Sequence, residues 1–150
     1  MSEVVVRDLE PGDREAWRRL FAAYREFYEC DPADHERVLD LVWGWLHDEG
    51  HELGGLVATL DDQVVGFAHH RLYSRPCEGE TGLFLDDLFT EASVRGRGVG
   101  RALILRLSEI ARSRGAAKVR WVTAHDNEVA QRLYDDVATR TDWLTYDLPV

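Results

Sequence analysis

The segment 85–101 reads Leu-Asp-Asp-Leu-Phe-Thr-Glu-Ala-Ser-Val-Arg-Gly-Arg-Gly-Val-Gly-Arg, in which Gly96, Gly98 and Gly100 alternate with other residues between an extended run and a helical one. No other stretch constrains the fold as tightly. Glycine tolerates backbone angles closed to other residues, so the chain can turn sharply here and point its N–H groups outward with no side chain in the way. A helix beginning at this point adds unpaired N–H donors and a partial positive charge, each favourable anionic contact being worth roughly 0.3–1 kcal/mol. Arg95, Arg97 and Arg101 bring full positive charges into a chain whose formal net charge is −10. The bend is therefore suited to an anion, and the local reversal of sign favours a phosphate. Taken alone it also reads as a flexible turn without a ligand. A dinucleotide fingerprint is disfavoured, because the preceding strands look like hairpin partners and the third glycine is not at the required spacing. A nucleotide P-loop fails for want of a following Gly-Lys-Ser or Gly-Lys-Thr.

Around this bend the element types alternate. Residues 3–7 read as a strand, and Pro11-Gly12-Asp13 then break it and cap a helix. Trp17, Leu20, Phe21, Tyr24 and Tyr28 form one apolar face of that helix. A second helix follows Asp31-Pro32, with Val38, Leu41, Val42, Trp45 and Leu46 as its face and Gly50 near its end. Residues 56–60 and 64–70 suit a hairpin turning at Asp61-Asp62-Gln63, and 81–90 is the next extended run. Beyond the bend, Val99, Leu103, Leu107 and Ile110 define a helix capped by Gly115; residues 118–123 follow as a strand, 127–137 as a helix and 141–148 as a last strand. The order is β-α-α-β-β-β-α-β-α-β, an α+β arrangement.

Length fits one domain over residues 1–150, with 45% hydrophobic residues to fill a single core. No apolar run reaches 18 residues and the N-terminus lacks the pattern of a signal peptide, so a soluble, cytoplasmic protein with no membrane partner is expected. Cys30 and Cys77 sit in unrelated contexts and suggest neither a disulfide framework nor a zinc cluster. The acidic balance argues against a nucleic-acid partner and fits a cationic one.

Arg95-Gly96-Arg97-Gly98-Val99-Gly100 resembles the pyrophosphate-binding signature of the GNAT superfamily of N-acetyltransferases, and Asn127-Glu128-Val129-Ala130-Gln131-Arg132-Leu133-Tyr134 resembles its downstream Asn, Ala, Leu, Tyr pattern. The resemblance spans nearly the whole chain. It implies a GNAT fold with a mixed, mostly antiparallel, splayed central sheet of six to seven strands flanked by helices. It further implies acetyl-CoA as co-substrate, with no metal, and transfer of the acetyl group to a primary amine in a ternary complex. The pantetheine arm would run along Leu88, Phe89 and Thr90, and the pyrophosphate would lie over Arg95, Gly96, Arg97, Gly98, Val99, Gly100 and Arg101. Asn127 and Ala130 would approach the arm, with Tyr134 protonating the departing thiolate. A tyrosine of ordinary pKa near about 10 holds its proton at neutral pH and is equipped for that role. From helical spacing alone, Tyr134 reads as a core tyrosine.

Attack on a thioester needs a neutral amine, and an alkylammonium of pKa about 10.4 is neutral only about once in 2,500 molecules at pH 7, a deficit of roughly 4.6 kcal/mol. Leu85-Asp86-Asp87-Leu88-Phe89-Thr90 is similar to a segment of diamine-type acetyltransferases in the superfamily. By that likeness Asp86 takes the place of the water-linked base, while Asp87 binds the amine or supports the fold. Adjacent strand residues should leave by opposite faces, so only one of the two is expected to point at a given site. Tyr24 and Glu26 fall where diamine-type relatives carry a substrate-facing tyrosine and acid, although Tyr24 also belongs to the apolar stripe. The acceptor is read as a polyamine or other cationic small amine. The alternatives are a protein lysine or N-terminus as acceptor, or a catalytically silent acetyl-CoA-binding module. Consecutive His69 and His70 must diverge, which disfavours a shared metal site, and His125 reads as a cap or surface residue. The tail after Val137 is similar to a histone and polyamine acetyltransferase-like subgroup in which the last strand supports dimerisation, so a homodimer is expected.

Overall fold

The computed structural model describes residues 3–150. β1 spans Val5–Asp8, α1 Arg14–Phe27, α2 His35–Leu46, β2 Gly54–Leu60, β3 Gln63–Arg75, β4 Glu80–Thr90, α3 Val99–Ser113, β5 Val119–Arg120 and α4 Glu128–Val137. Among the described residues, five strands form one sheet in sequence order, with β1 to β4 antiparallel and β4 to β5 parallel. The element order follows the expected one as far as α4.

The expected strand over 141–148 is not formed, and the sheet has five strands rather than six to seven. β5 is also shorter than the expected 118–123. With no strand beyond β5 to pair with, the segment after α4 lies open, leaving Trp143 83%, Tyr146 87% and Leu148 87% exposed.

Side-chain patterning explains the layers. In β2 and β3 one set of residues, Leu56, Ala58, Val65 and Ala68, packs with Leu83 and Leu85 of β4 against Val99, Leu103 and Leu107 of α3. On the other face Phe67 packs against Trp17, Leu20 and Phe21 of α1 and Leu39 and Val42 of α2. The α1 face contains Trp17, Leu20 and Phe21 as expected, but Tyr28 lies just past the helix and is 43% exposed. In α2 the apolar face turns about Leu39 and Val42, whereas Leu41 and Trp45 are exposed.

Turn chemistry sets the register. Asp61 and Asp62 both take positive φ, 50° and 61°, forming the two-residue turn that joins Leu60 to its partner Gln63. Asp13 does not cap α1 with its side chain; its carboxylate instead accepts from Arg7 at 2.7 and 2.9 Å and from the Glu10 N–H at 2.8 Å. Gly66 permits the close approach of α3 to the sheet, since a Cβ there would meet Val99 Cγ1 at 2.9 Å and the Phe89 carbonyl oxygen at 3.0 Å. Cys30 and Cys77 are free thiols. No described helix is long and apolar enough to cross a membrane.

Candidate active site

β4 carries both ends of the site. Its pairing with β5 covers only Leu83 with Val119 and Phe84 with Arg120, yet β4 continues to Thr90. The strands splay beyond that point, so the outer edge of β4 offers backbone N–H and C=O groups to an extended polar ligand. A groove of about 580 Å³ occupies the splay.

The strand residues Leu88, Phe89 and Thr90 line one wall of this groove. Its floor is the bend and the first turn of α3, from Arg95, Gly96, Gly98, Val99, Gly100 and Arg101, and α4 closes it with Asn127, Ala130 and Tyr134. Arg97, grouped with them by the sequence reading, is exposed and is not part of the lining. Phe27 and Tyr28 at the end of α1, and Val129 and Leu133 of α4, join the walls without having been anticipated there. Their apolar spacing reads as packing, and only the approach of α1 and α4 to the splay reveals them.

Gly96 and Gly98 have φ of +83° and +85°, and nothing lies within 4 Å of where a Cβ would stand at either. Gly98 is the N-cap of α3 and no side chain caps that end, so the first-turn amides face the groove bare. Gly100 lets α4 close in, as its Cβ would meet Leu133 Cδ2 at 3.2 Å. Arg95 is tethered by its Nε to the Thr90 carbonyl at 3.2 Å and lies over the Phe89 ring at 5.5 Å. Arg101 reaches Asp136 at 3.1 Å, tying α3 to α4. Asn127 is the N-cap of α4, its Oδ1 accepting from the Ala130 N–H at 3.4 Å.

At the inner end the register between β3 and β4 shifts by one residue. His70 pairs with Leu85 and His69 with Asp87, so Asp86 is the extra residue of a β-bulge. The bulge changes the expected geometry of the two aspartates. Asp87 bonds His69 and Asp86 bonds Arg71, and these partners are two apart on β3 and share a face. Both carboxylates therefore serve the α1 side of the sheet. Asp86 accepts Arg71 Nε–H on both oxygens at 3.1 Å, and its half-buried position raises its carboxyl pKa, with Arg71 opposing the rise.

Asp87 accepts from His69 Nδ1 at 2.8 Å, its side chain is 25% exposed, and the Tyr24 hydroxyl lies beside it. Burial first, then the charge and hydrogen-bonding influence of the Asp87 carboxylate, raises the Tyr24 pKa, so Tyr24 stays protonated. Tyr24 also packs on Tyr28 at 4.7 Å and on Phe89 at 6.0 Å, which joins Asp87 to the groove. Tyr134 stands edge-on to Trp121 at 5.3 Å, and burial, with a smaller contribution from Tyr28, pushes its pKa up to about 12. Tyr24, Asp86 and Asp87 lie outside the groove lining, as does Glu26, which is exposed on α1. His125 is exposed and contributes its carbonyl oxygen to Gln131.

Residues 15–137 match the Acetyltransferase (GNAT) family. The chain belongs to that family. It is 33% identical over 145 residues to the D-amino-acid N-acetyltransferase HPA3 of Saccharomyces cerevisiae, a match covering 95% of this chain and 89% of the relative. Its fold is shared with the ribosomal-protein-alanine N-acetyltransferase from Brucella melitensis biovar Abortus 2308, at TM-score 0.80, 24% identity and 99% coverage of both chains. The aminoglycoside N-acetyltransferase AAC(6')-Iy, whose structure is in complex with CoA, gives TM-score 0.80 at 22% identity, covering 99% of this chain and 96% of that one. This GNAT protein is an acetyl-CoA-dependent N-acetyltransferase. The groove fits that co-substrate: an unpaired strand edge for an extended arm, bare amides with two arginines for a diphosphate, and a half-buried tyrosine beyond them. Among the described residues no group of three or more His, Cys, Asp or Glu is placed to hold a metal.

Proposed function

We propose that this acetyltransferase acts on a small cationic primary amine, whose ammonium group is received by Asp87 and Tyr24, just beyond the groove lining where Tyr24 packs on Tyr28 and Phe89. The observation carrying this reading is the Asp87 carboxylate, one-quarter exposed, held by His69 and joined through Tyr24 to Tyr28 and Phe89 of the groove walls. Bound acetyl-CoA supplies the activated acetyl thioester. Leu88 and Thr90 offer backbone groups to its arm, and the amides of Gly98, Val99 and Gly100, with Arg95 and Arg101, hold its diphosphate.

Asp87 attracts the ammonium form, and a neutral amine must then be released toward the thioester. Asp86 is the proton acceptor, reached through water, and the upward shift of its pKa by burial makes it a better base than an ordinary aspartate. The nitrogen then forms a bond to the acetyl carbon, the C–S bond breaks, the Tyr134 hydroxyl gives its proton to the sulfur, and the proton shed by the acylated nitrogen returns through water to the tyrosine. With its pKa near 12, Tyr134 holds that proton throughout the neutral range, so its transfer belongs with C–S cleavage rather than before it.

The names of relatives extend the acceptor question to D-amino acids and aminoglycosides, beside the polyamines that the acidic composition suggests. CoA release measured over polyamines, aminoglycosides, D- and L-amino acids and a basic peptide tests the reading. Turnover with at least one small amine, lost in Asp87→Asn at low amine concentration, is expected. Turnover confined to the peptide would overturn it.

We also propose that the enzyme is a homodimer in which residues 141–148 pair with a second copy. Support comes from Leu144, Tyr146 and Leu148, alternate residues 78–87% exposed and apolar enough to seek a covering surface. A monomer at micromolar concentration in analytical ultracentrifugation would contradict this.

A further inference from the structure

His69 is 1% exposed and both of its ring nitrogens are engaged. The Trp17 indole Nε1–H donates to His69 Nε2 at 2.9 Å, and His69 Nδ1 meets Asp87 Oδ2 at 2.8 Å. Indole is a donor only, so Nε2 must carry a lone pair and not a proton. The single remaining proton then sits on Nδ1 and is donated to Asp87. We infer that Trp17 locks His69 as a neutral Nδ1–H tautomer, making His69 a positioning residue that aims the Asp87 carboxylate at the acceptor amine without cancelling its charge.

The lock matters because of charge. A histidine free to ionise beside Asp87 would form an imidazolium–carboxylate pair, and an incoming ammonium would meet a site with no net attraction. Ionised His69 would also set its Nε2–H against the indole N–H, two donors facing each other in a dry interior. Trp17 is 0% exposed and Phe21 and Phe67 pack on the imidazole at 4.9 and 4.8 Å, so no water replaces either partner. The charged and titratable groups around it are Asp87 and Asp86 on β4, Arg71 and His70 on β3, and Tyr24 on α1. Asp86 is occupied by Arg71 and Tyr24 is protonated, which leaves Asp87 as the unneutralised negative charge at this end.

This inference rests on the reading that Asp87 receives the amine, and the test separates the two. Amine and acetyl-CoA are varied independently for Asp87→Asn, His69→Leu, His69→Asn and Trp17→Phe, with melting temperature recorded for each. Loss of a hydrogen bond to a charged group corresponds to about a tenfold rise in amine KM, expected for His69→Leu with acetyl-CoA KM unchanged. His69→Asn keeps an N–H near the Nδ1 position and should restore amine KM to within about threefold, although it fills the core less well than leucine. A purely structural histidine would give the opposite ranking, with activity following melting temperature, and that result overturns the inference. An amine KM unchanged in Asp87→Asn overturns the underlying reading and this inference with it, whereas a raised KM there with unchanged His69 variants overturns this inference alone. Nitrogen-15 NMR of the imidazole gives an independent reading: a proton on Nδ1 only is expected at pH 6, and in Trp17→Phe a second proton should appear as pH falls. A proton on Nε2 in the unmodified enzyme would overturn the assignment.

Discussion

The groove and the aspartate network beside it are built on different principles. At the bend after β4 the distinctive features belong to the backbone: Gly96 and Gly98 in left-handed conformations, bare amides at the head of α3, and tethered arginines beside them. At the proposed acceptor site they belong to side chains drawn from α1, β3 and β4 and joined by hydrogen bonds across 70 residues of sequence, from Trp17 through His69 to Asp87. On the proposed reading the backbone site takes the diphosphate of the donor, a feature common to every reaction of this class. The side-chain network can be rebuilt by single substitutions, and the same reading puts acceptor choice there.

That contrast predicts separable defects. The largest should come from Tyr134→Phe: loss of the proposed acid is expected to lower kcat by at least about a hundredfold, with acetyl-CoA KM changed less than about threefold. Equal turnover would remove the acid from the account. Next, Gly98→Val places a β-branched side chain at φ +85° over the bare amides, and calorimetry should show CoA affinity falling by about tenfold or more. Retained affinity would mean that the diphosphate sits elsewhere.

The smallest effect is on stability and contrasts His69 with its neighbour on the opposite face. His70 is buried, its Nδ1 has no partner, and burial, then the Arg114 charge, lowers its pKa from 6.5 to about 4. An unfolded histidine takes up its proton at the ordinary pKa, so the folded state loses stability as pH falls from 6.5 to about 4 and loses no more from this group below that. Melting temperature followed over that window should fall more steeply in the unmodified enzyme than in His70→Leu. Parallel slopes would show that His70 is not held neutral.

How much was legible in the sequence follows the same division. Gly96, Gly98, Gly100, Asn127 and Tyr134 are local signals, because a bend and a cap are encoded by adjacent residues, and each of these lies at the groove. The proposed acceptor site depends on register. From the pair Arg75 and Glu80, an uninterrupted hairpin would set His69 opposite Asp86; the bulge moves it to Asp87 and brings both aspartates to one face. Nothing in the composition of β4 announces that bulge. Trp17 and Arg71 were invisible as site residues for the same reason, since one looks like core and the other like a surface cation until the strands are paired. The missing sixth strand is a related case: residues 141–148 have the right alternation, but strand pairing needs a partner edge that periodicity does not reveal.

The most direct test of the two-part account is initial-rate kinetics on Asp87→Asn with acetyl-CoA and amine varied independently. The account predicts an amine KM raised by about tenfold or more at an unchanged acetyl-CoA KM. An unchanged amine KM, or a rise shared equally by both substrates, would contradict it.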